Sequence, residues 1–276
     1  MALGDLGKKV SEALSQTIKG VGDVAKSTTE ATRSNLVEGL RGVRDVVTEA
    51  SGLVGDTITG AIQAASKVGA ELGSTAKGAV IGSIQAVGEV STVTTGVISD
   101  TIRAAIKGTS EVGGDVAKVA QGAAEGALIA SKDITLSLED TAFSVARGAI
   151  QGAKDTGTDI ASVAKDTVRG AISGTKEIGG DVLETAHGTA RGTIKGAAEV
   201  GGDLASVARS AVEGAIDGAK AVAVNTEDAA SAAATGAVEA ARDIGEAAVD
   251  TVTNAVSGTI SGVKVVIKAP FKKEQG

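Results

Sequence analysis

The stretch RGTIKGAAEVGGDLASVARSAV, residues 191–212, carries four glycines among Ala, Lys, Glu and Arg residues that otherwise favour a helix. Its pattern returns as RGAISGTKEIGGDVLETAHGTA at 169–190 and as RGAIQGAKDTGTDIASVAKDTV at 147–168. The period is 22 residues. Internal repetition at a fixed period is the strongest signal in this chain, and the fold has to be derived from it.

One position of the repeat holds a branched aliphatic residue along nearly the whole chain, with no insertion. These residues are Ile18, Leu40, Ile62, Ile84, Ile106, Leu128, Ile150, Ile172, Ile194, Ile216, Val238 and Ile260. We interpret them as an apolar face that meets either lipid or another copy of the chain. The predicted organisation is a lead-in over residues 1–14, twelve amphipathic helical repeats over 15–268 and a basic tail over 269–276.

The unbroken register favours continuous helix, because loops tolerate length changes whereas an insertion in a helix rotates all later residues by about 100°. Pro270, the only proline, lies beyond the last repeat. The predicted fold class is therefore all-α, with one long amphipathic helix or a few long helices built from 22-residue units of two elevens. Whether the helix breaks near residues 91–99 and 129–145 is left open.

On a helical wheel the apolar arc has one basic border and one acidic border. In the repeat 191–212, Arg191 and Arg209 lie on one side, and Glu199 and Asp203 lie on the other. Parallel helices with their apolar arcs facing the same way would place the basic edge of one against the acidic edge of the next. This order predicts parallel self-association into a homo-oligomer, unless the charge order is incidental.

The glycines need an explanation, because each one costs a helix about 0.8–1 kcal/mol relative to Ala. One set of glycine pairs has the small-xxx-small spacing that lets two helices approach closely. The second members of these pairs are Gly152, Gly174, Gly196 and Gly218, each four residues after Gly148, Gly170, Gly192 or Gly214. The alternative is that glycine only weakens the helix, which then forms on a partner. Both interpretations require a surface outside the helix.

Composition excludes several function classes. The chain has two Phe and no Trp, Tyr or Cys, so we expect no conventional core of large side chains and no disulfide framework. A net charge of −7 does not indicate a nucleic-acid partner. His187, the only histidine, falls on the basic edge and is interpreted as a solvated residue. We predict no catalytic residue, no metal site, no cofactor and no enzyme activity.

Two aromatic residues depart from the repeat. Phe143 stands where a basic residue is expected, and it is interpreted as a kink, a lipid anchor, a contact between chains or simple repeat decay. Phe271 lies among the lysines of the tail, which is interpreted as an interfacial anchor or a frayed end. No apolar stretch is long enough to span a bilayer. The expected location is cytoplasmic, either free or peripheral to a membrane or lipid droplet.

The repeat resembles those of two lipid-binding families. Segments such as GAVIGSIQAVGEV (78–90) and ARGTIKGAAEVGGD (190–203) are similar in period and composition to the repeats of perilipins and synucleins, and more distantly to apolipoprotein and late embryogenesis abundant repeats. The resemblance implies a chain that folds into helices on lipid. The sequence departs from these families in lacking the apolipoprotein prolines and the strong lysine excess of synucleins.

Two functions are therefore carried forward. The first is a non-enzymatic protein that coats or shapes a lipid surface through a wide apolar arc of small side chains. The second is a self-assembling structural protein that forms a parallel bundle, filament or apolar tube. A desiccation-protective role is a third, less favoured interpretation.

Overall fold

The computed structural model describes Lys8, Ser11, Glu12, residues 24–41 and residues 46–268, with the backbone alone for residues 46–50. The helices in these ranges are α1 (Val24–Arg41), α2 (Val46–Val68), α3 (Leu72–Val90), α4 (Thr95–Glu111), α5 (Val116–Ala130), α6 (Leu138–Thr156), α7 (Ile160–Glu177), α8 (Val182–Glu199), α9 (Leu204–Ala221), α10 (Thr226–Arg242) and α11 (Glu246–Val256). A 3-10 turn, Ser131–Asp133, precedes α6. Strands β1 (Gly258–Ile260) and β2 (Val263–Val265) follow α11.

The all-α class is confirmed, but the prediction of one or a few long helices is wrong. The described helices have 11 to 23 residues. Helices α5 to α10 begin at residues 116, 138, 160, 182, 204 and 226, so each sequence repeat in this region supplies one helix and one turn. The chain leaves the helix at 91–94 and at 131–137, within the two stretches left open above, and at each of the later turns as well.

The turn after α7 shows why each helix stops. Gly179 adopts the left-handed conformation with φ +72°, which costs a residue with a Cβ about 1–2 kcal/mol. Its N–H donates to the carbonyl of Lys176 at 3.1 Å, and the N–H of Gly180 donates to the carbonyl of Thr175 at 2.9 Å. This pair of hydrogen bonds is a Schellman motif, which satisfies carbonyls that the helix end would otherwise leave unpaired.

The next residue starts the following helix. The carboxylate of Asp181 accepts hydrogen bonds from the N–H groups of Leu183 and Glu184, at 2.8 and 3.2 Å. An N-cap of this kind contributes about 1 kcal/mol. The same capping position is held by Asp115, Asp159, Asp203 and Asn225. Because stop and start occupy adjacent residues, the turn has a fixed length and the repeat register survives it.

One turn lacks the favoured residue, which gives a testable prediction. Ala223 has φ 55° after α9, where the preceding turn has Gly201 at φ +68°. Replacing Ala223→Gly removes the left-handed strain, and we expect the free energy of unfolding to rise by about 1 kcal/mol. The matched variant Gly201→Ala should lower it by about the same amount. Urea denaturation followed by circular dichroism measures both, and equal signs for the two variants would contradict the explanation.

The helices stack in two rows. Each helix packs mainly on the second helix along the chain, so α1, α3, α5, α7, α9 and α11 form the first row and α2, α4, α6, α8 and α10 form the second. A Cβ added at Gly170 would lie 2.1 Å from the carbonyl oxygen of Gln121, and one at Gly174 would lie 2.4 Å from that of Glu125. Both contacts join residues 49 apart, so neighbours within a row are parallel.

Among the described residues, the core is built without aromatic side chains. The largest fully buried side chains are all Leu or Ile, and Ala and Val fill most of the remaining interior. This interior agrees with the expected lack of a conventional core of large side chains, and the glycines bring backbones close enough for short side chains to fill the space between helices. A small side chain buries little area, so many close contacts replace a few large ones.

The last predicted repeat is helical only over its first part. After α11, β1 and β2 form an antiparallel hairpin in which Gly258 pairs with Val265 and Ile260 with Val263. Ile260, Val263 and Val265 are buried and belong to the core cluster of the C-terminal helices. Residues 258–265, predicted as helix, are thus strand and turn, which their Thr, Ile and Val content favours.

Candidate functional site

The structure buries the predicted apolar face within the chain. Eleven of the twelve aliphatic residues, Leu40, Ile62, Ile84, Ile106, Leu128, Ile150, Ile172, Ile194, Ile216, Val238 and Ile260, are at most 4% exposed. Ile18 lies outside the described residues. The premise that an external surface must cover this face is wrong for the described part, because the two helix rows cover it for each other.

The four predicted small residues lie at close contacts between helices of one row. They are Gly152, Gly174, Gly196 and Gly218. An added Cβ would lie 2.4 Å from the carbonyl oxygen of Glu125 at Gly174 and 3.0 Å from the Cβ of Ile150 at Gly196. A Cβ added at Gly152 would lie 3.0 Å from the Cβ of Ile106, and one at Gly218 would lie 3.1 Å from the Cβ of Ile172. Each isoleucine belongs to the preceding helix of the same row. The surface that they approach belongs to the same chain.

The basic and acidic edges meet between neighbouring helices of the same row. Several ion pairs join residues 52 apart on parallel helices, among them Arg103 Nε to Asp155 Oδ2 at 2.5 Å, Arg147 Nε to Glu199 Oε2 at 2.8 Å, and Lys165 Nζ to Asp217 Oδ2 at 2.9 Å. The basic edge of one helix therefore pairs with the acidic edge of the second helix after it in the same chain. It supports a parallel arrangement, but an internal one.

Lys77 joins three helices of the first row. Its Nζ lies 3.0 Å from a carboxylate oxygen of Glu125 on α5 and 2.9 Å from one of Glu177 on α7. Burial alone would lower the pKa of Lys77, but the hydrogen bonds to Glu177 and Glu125 outweigh it and raise the pKa. The side chain of Lys77 thus links α3 both to its neighbour in the row, α5, and to α7, which lies beyond α5.

The pKa values of two aspartates in these rows are shifted in opposite directions. Burial raises the pKa of Asp166, and the nearby carboxylate of Asp115 adds to this effect against Arg169. The hydrogen bond from Arg103 lowers the pKa of Asp155. Ionised Asp166 therefore costs stability at neutral pH, whereas ionised Asp155 contributes to it.

These pKa shifts predict that two matched variants change the free energy of unfolding in opposite directions. At pH 7, Asp166→Asn should raise the free energy of unfolding and Asp155→Asn should lower it, each by about 0.5–1 kcal/mol. The gain from Asp166→Asn should shrink as the pH falls from the raised folded pKa to about 3.9, because the wild-type carboxyl becomes neutral in both states. The loss from Asp155→Asn should persist to about pH 4 and shrink below it. Urea denaturation between pH 3 and pH 7 tests both, and parallel pH profiles would contradict the assignment.

The one histidine lies between two carboxylates of the second row. His187 Nε2 is 2.9 Å from Glu239 Oε2 on α10, and Nδ1 is 3.4 Å from Glu139 Oε1 on α6. Its side chain is 16% exposed, so its interpretation as a solvated residue is wrong. A neutral imidazole has one N–H, and only the protonated ring can donate to both carboxylates.

His187 lines a groove of about 630 Å³ across α6, α8 and α10. Its charged lining comprises Glu139, Asp181, Glu184, Asp228 and Glu239 with His187, Arg191 and Lys268. Burial, Asp181 and Glu139 raise the pKa of Glu184. Arg191 pairs with Glu139, and Lys268 pairs with Asp228. The five carboxylates of the groove outnumber these two cations.

Phe143 lies within the unbroken helix α6 and is half-buried. The guanidinium carbon of Arg191 lies 5.7 Å from the centre of its ring, a cation–π distance. The structure thus places Phe143 in a contact between α6 and α8. Phe271 and the tail over 269–276 lie outside the described residues, as does most of the lead-in over 1–14.

The groove holds one hydroxyl group beside its charged residues. Its one hydroxyl, on Thr235, donates to the carbonyl of Ser231 at 2.7 Å and accepts from the N–H of Lys268 at 3.1 Å. Among the described residues, no group of three or more His, Asp or Glu side chains is placed to hold a metal ion. In the same part of the chain, none of the helices combines the length and apolarity needed to cross a bilayer.

Two sequence signals could have given this arrangement. The run of an aliphatic residue, Gly, Gly and Asp at 112–115, 178–181 and 200–203 is a helix stop followed directly by an N-cap. Charges of opposite sign recur 48 or 52 residues apart, that is, about one or two turns of helix beyond a 44-residue module of two helices.

Comparison with known proteins adds little to this description. No protein-family model and no curated protein sequence matches the chain. Among solved structures, a crystal structure of a de novo designed helical repeat protein is similar at 21% identity and a TM-score of 0.38, covering 61% of this chain and 94% of that one.

Proposed function

We propose that this protein is a non-enzymatic structural scaffold, a helical-repeat stack that folds by itself and presents charged helix faces. The burial of the aliphatic face carries this proposal. Residues such as Ile84, Ile150 and Ile216 are fully buried inside the chain's own rows. A protein whose apolar face is closed by its own helices needs neither lipid nor a second chain to become helical.

The pattern of ion pairs supports the same function. Pairs within a row lie on the outside of the stack and span successive parallel helices, as Arg103 and Asp155 do. Each exposed pair contributes only about 0–1 kcal/mol, but a series fixes which helix lies beside which. A scaffold requires such a defined order, because its length and surface depend on every helix keeping its place.

Coating of a lipid surface, the function that the sequence pattern favours, requires a different state. The two rows would have to separate so that residues such as Leu128 and Ile172 could face lipid. The buried contacts of α5 and α7 with their neighbours would then be exchanged for contacts with acyl chains. The folded stack offers no continuous apolar stripe in the described residues for this purpose, since their exposed large hydrophobic residues are Ile244 and Val266.

One experiment separates the two functions. Circular dichroism and sedimentation velocity of the full chain are measured without lipid and again with a neutral-lipid emulsion, with flotation to detect binding. A scaffold is helical and monomeric without lipid, melts cooperatively and stays in the aqueous fraction. Helix that appears only with the emulsion, together with flotation of the protein, would overturn the proposal and favour the lipid coat. A defined oligomer without lipid would instead favour the self-assembling alternative.

A further inference from the structure

The groove across α6, α8 and α10 has a lining that is partly apolar and mostly acidic. Leu183 and Ala232 are half-buried in it, and all three helices contribute carboxylates around them. Five carboxylates line the groove against two permanent cations, Arg191 and Lys268. This surface is therefore complementary in charge to a cationic partner, because opposite charges across an interface steer association and fix its orientation.

The negative charge is least compensated at the start of α8. In the described part of the chain, the two permanent cations of the groove pair with Glu139 and Asp228, whereas no ion pair involves Asp181 or Glu184. Burial and the neighbouring carboxylates of Asp181 and Glu139 raise the pKa of Glu184. A cation brought to the start of α8 would relieve this repulsion, so this is where a partner's positive charge gains most.

The chain itself shows how a non-helical segment meets this surface. The N–H groups of Val266 and Lys268 donate to the hydroxyls of Ser231 and Thr235 on α10, both at 3.1 Å. Lys268 Nζ lies 3.7 Å from the carboxylate of Asp228, in the first turn of α10. A non-helical segment thus already delivers a lysine to a first-turn carboxylate of the groove, and the groove continues this interface onto α8 and α6.

The spacing of the three helices sets the geometry of a partner. Neighbouring packed helices lie about 8–10 Å apart. A polyproline II segment has three residues per turn and rises about 3.1 Å per residue, so residues three apart point the same way about 9 Å from each other. Glu139, Glu184 and Asp228 lie in the first turns of successive parallel helices of the row. A lysine at every third residue would therefore bring one ammonium group to each helix.

We propose that this groove binds a polyproline II segment of a partner protein whose lysines, three residues apart, meet the carboxylates of α6, α8 and α10. Glu184 is the central contact, and Glu139 and Asp228 accept the outer lysines beside the cations that they already hold, since a carboxylate has several acceptor sites. Leu183 and Ala232 pack against the residues between the lysines. The proposal rests on the scaffold function, because it names the kind of partner that one charged face of the folded stack holds.

The test uses two synthetic peptides of identical composition. Fluorescein-labelled KPPKPPK has the required spacing in a preformed polyproline II helix, and KKKPPPP carries the same charge without that spacing. Fluorescence anisotropy measures the binding of each peptide to the full chain at low ionic strength. We expect saturable binding in which the spaced peptide binds about fivefold more tightly than the block peptide.

Two variants of the full chain locate the site. Glu184→Gln removes the central carboxylate and should weaken binding of the spaced peptide about fivefold. Because the folded chain raises the pKa of Glu184, we expect this variant to keep its helices, which circular dichroism verifies. The control Glu111→Gln makes the same charge change at an exposed carboxylate that ends α4, outside the groove, and should weaken binding less than about twofold.

Equal affinities for the two peptides, equal effects of the two substitutions, or no saturable binding of the spaced peptide would each overturn the groove proposal. Circular dichroism and sedimentation velocity of the wild type without lipid or peptide separate this failure from that of the scaffold. A chain that is helical and monomeric but binds neither peptide would lose only the groove proposal. A chain that needs lipid to become helical would lose the scaffold function and the groove with it.

Discussion

Replacing Gly170→Ala should destabilise the stack by about 3 kcal/mol, although alanine is the better helix former. The added Cβ would lie 2.1 Å from the carbonyl oxygen of Gln121 and 2.8 Å from its carbonyl carbon, both of them backbone atoms that cannot rotate away. Helix α7 would have to move off α5, which loosens contacts along the whole row. The propensity gain of about 1 kcal/mol does not offset that loss.

The matched control is Gly55→Ala in α2. An added Cβ there would lie 3.9 Å from the Cβ of Ala104, which is an ordinary van der Waals contact. We expect this variant to be more stable than the wild type by about 0.5–1 kcal/mol. Urea denaturation of both variants measures the difference. If Gly170→Ala were also stabilising, close backbone approach would not be the reason for the glycine, and the interpretation of glycine as a helix weakener would gain support.

Inserting one alanine after Ile172 should cost more than about 3 kcal/mol and abolish a single cooperative transition. The insertion rotates the remainder of α7 by about 100°, which turns Gly174 away from α5 and misaligns Lys176. It also displaces α8 to α11 relative to the helices that precede them. Because each helix in the row docks on the second helix before it, the error reaches both rows.

A deletion of 44 residues should be tolerated far better than that single insertion. Removing residues 160–203 joins Asp159 to Leu204, so the N-cap is kept and α9 takes the place of α7. Gly214, which meets the carbonyl of Lys165, would then meet that of Gln121, as Gly170 does in the intact chain. We expect a shorter stack with a cooperative melt and a similar helical fraction per residue. Thermal denaturation followed by circular dichroism compares the two variants, and a deletion variant that is less stable than the insertion variant would refute the two-row register.

The sequence pattern predicts much of the local structure, but the prediction of long continuous helices is wrong. The amphipathic 22-residue pattern gave helices with an apolar face and two charged edges, and residues such as Ile150 and Glu199 lie on the predicted sides. The absence of insertions was interpreted as continuous helix. A turn made of a left-handed glycine and an adjacent N-cap, such as Gly179 to Asp181, has equally fixed length, so register alone does not distinguish the two.

The candidate site was not predicted, because it depends on contacts between residues far apart in the chain. His187 meets Glu139 and Glu239 only when α6, α8 and α10 lie side by side, and a wheel for one helix places it simply on a polar edge. Charge complementarity between parallel helices was correctly expected, but nothing local shows whether the parallel neighbour is another copy or the second helix along the same chain.

By itself, the sequence determined the helices, their apolar faces, the basic and acidic edges and the positions too small to hold a side chain. All of these follow from the order of residues within one or two turns of helix. The tertiary structure decided what covers the apolar face. That outcome depends on whether the turns reverse the chain so that Gly170 can reach the backbone of Gln121. Once they do, burial of the aliphatic residues within one molecule removes the need for a lipid or partner surface that a straight helix of the same sequence would have.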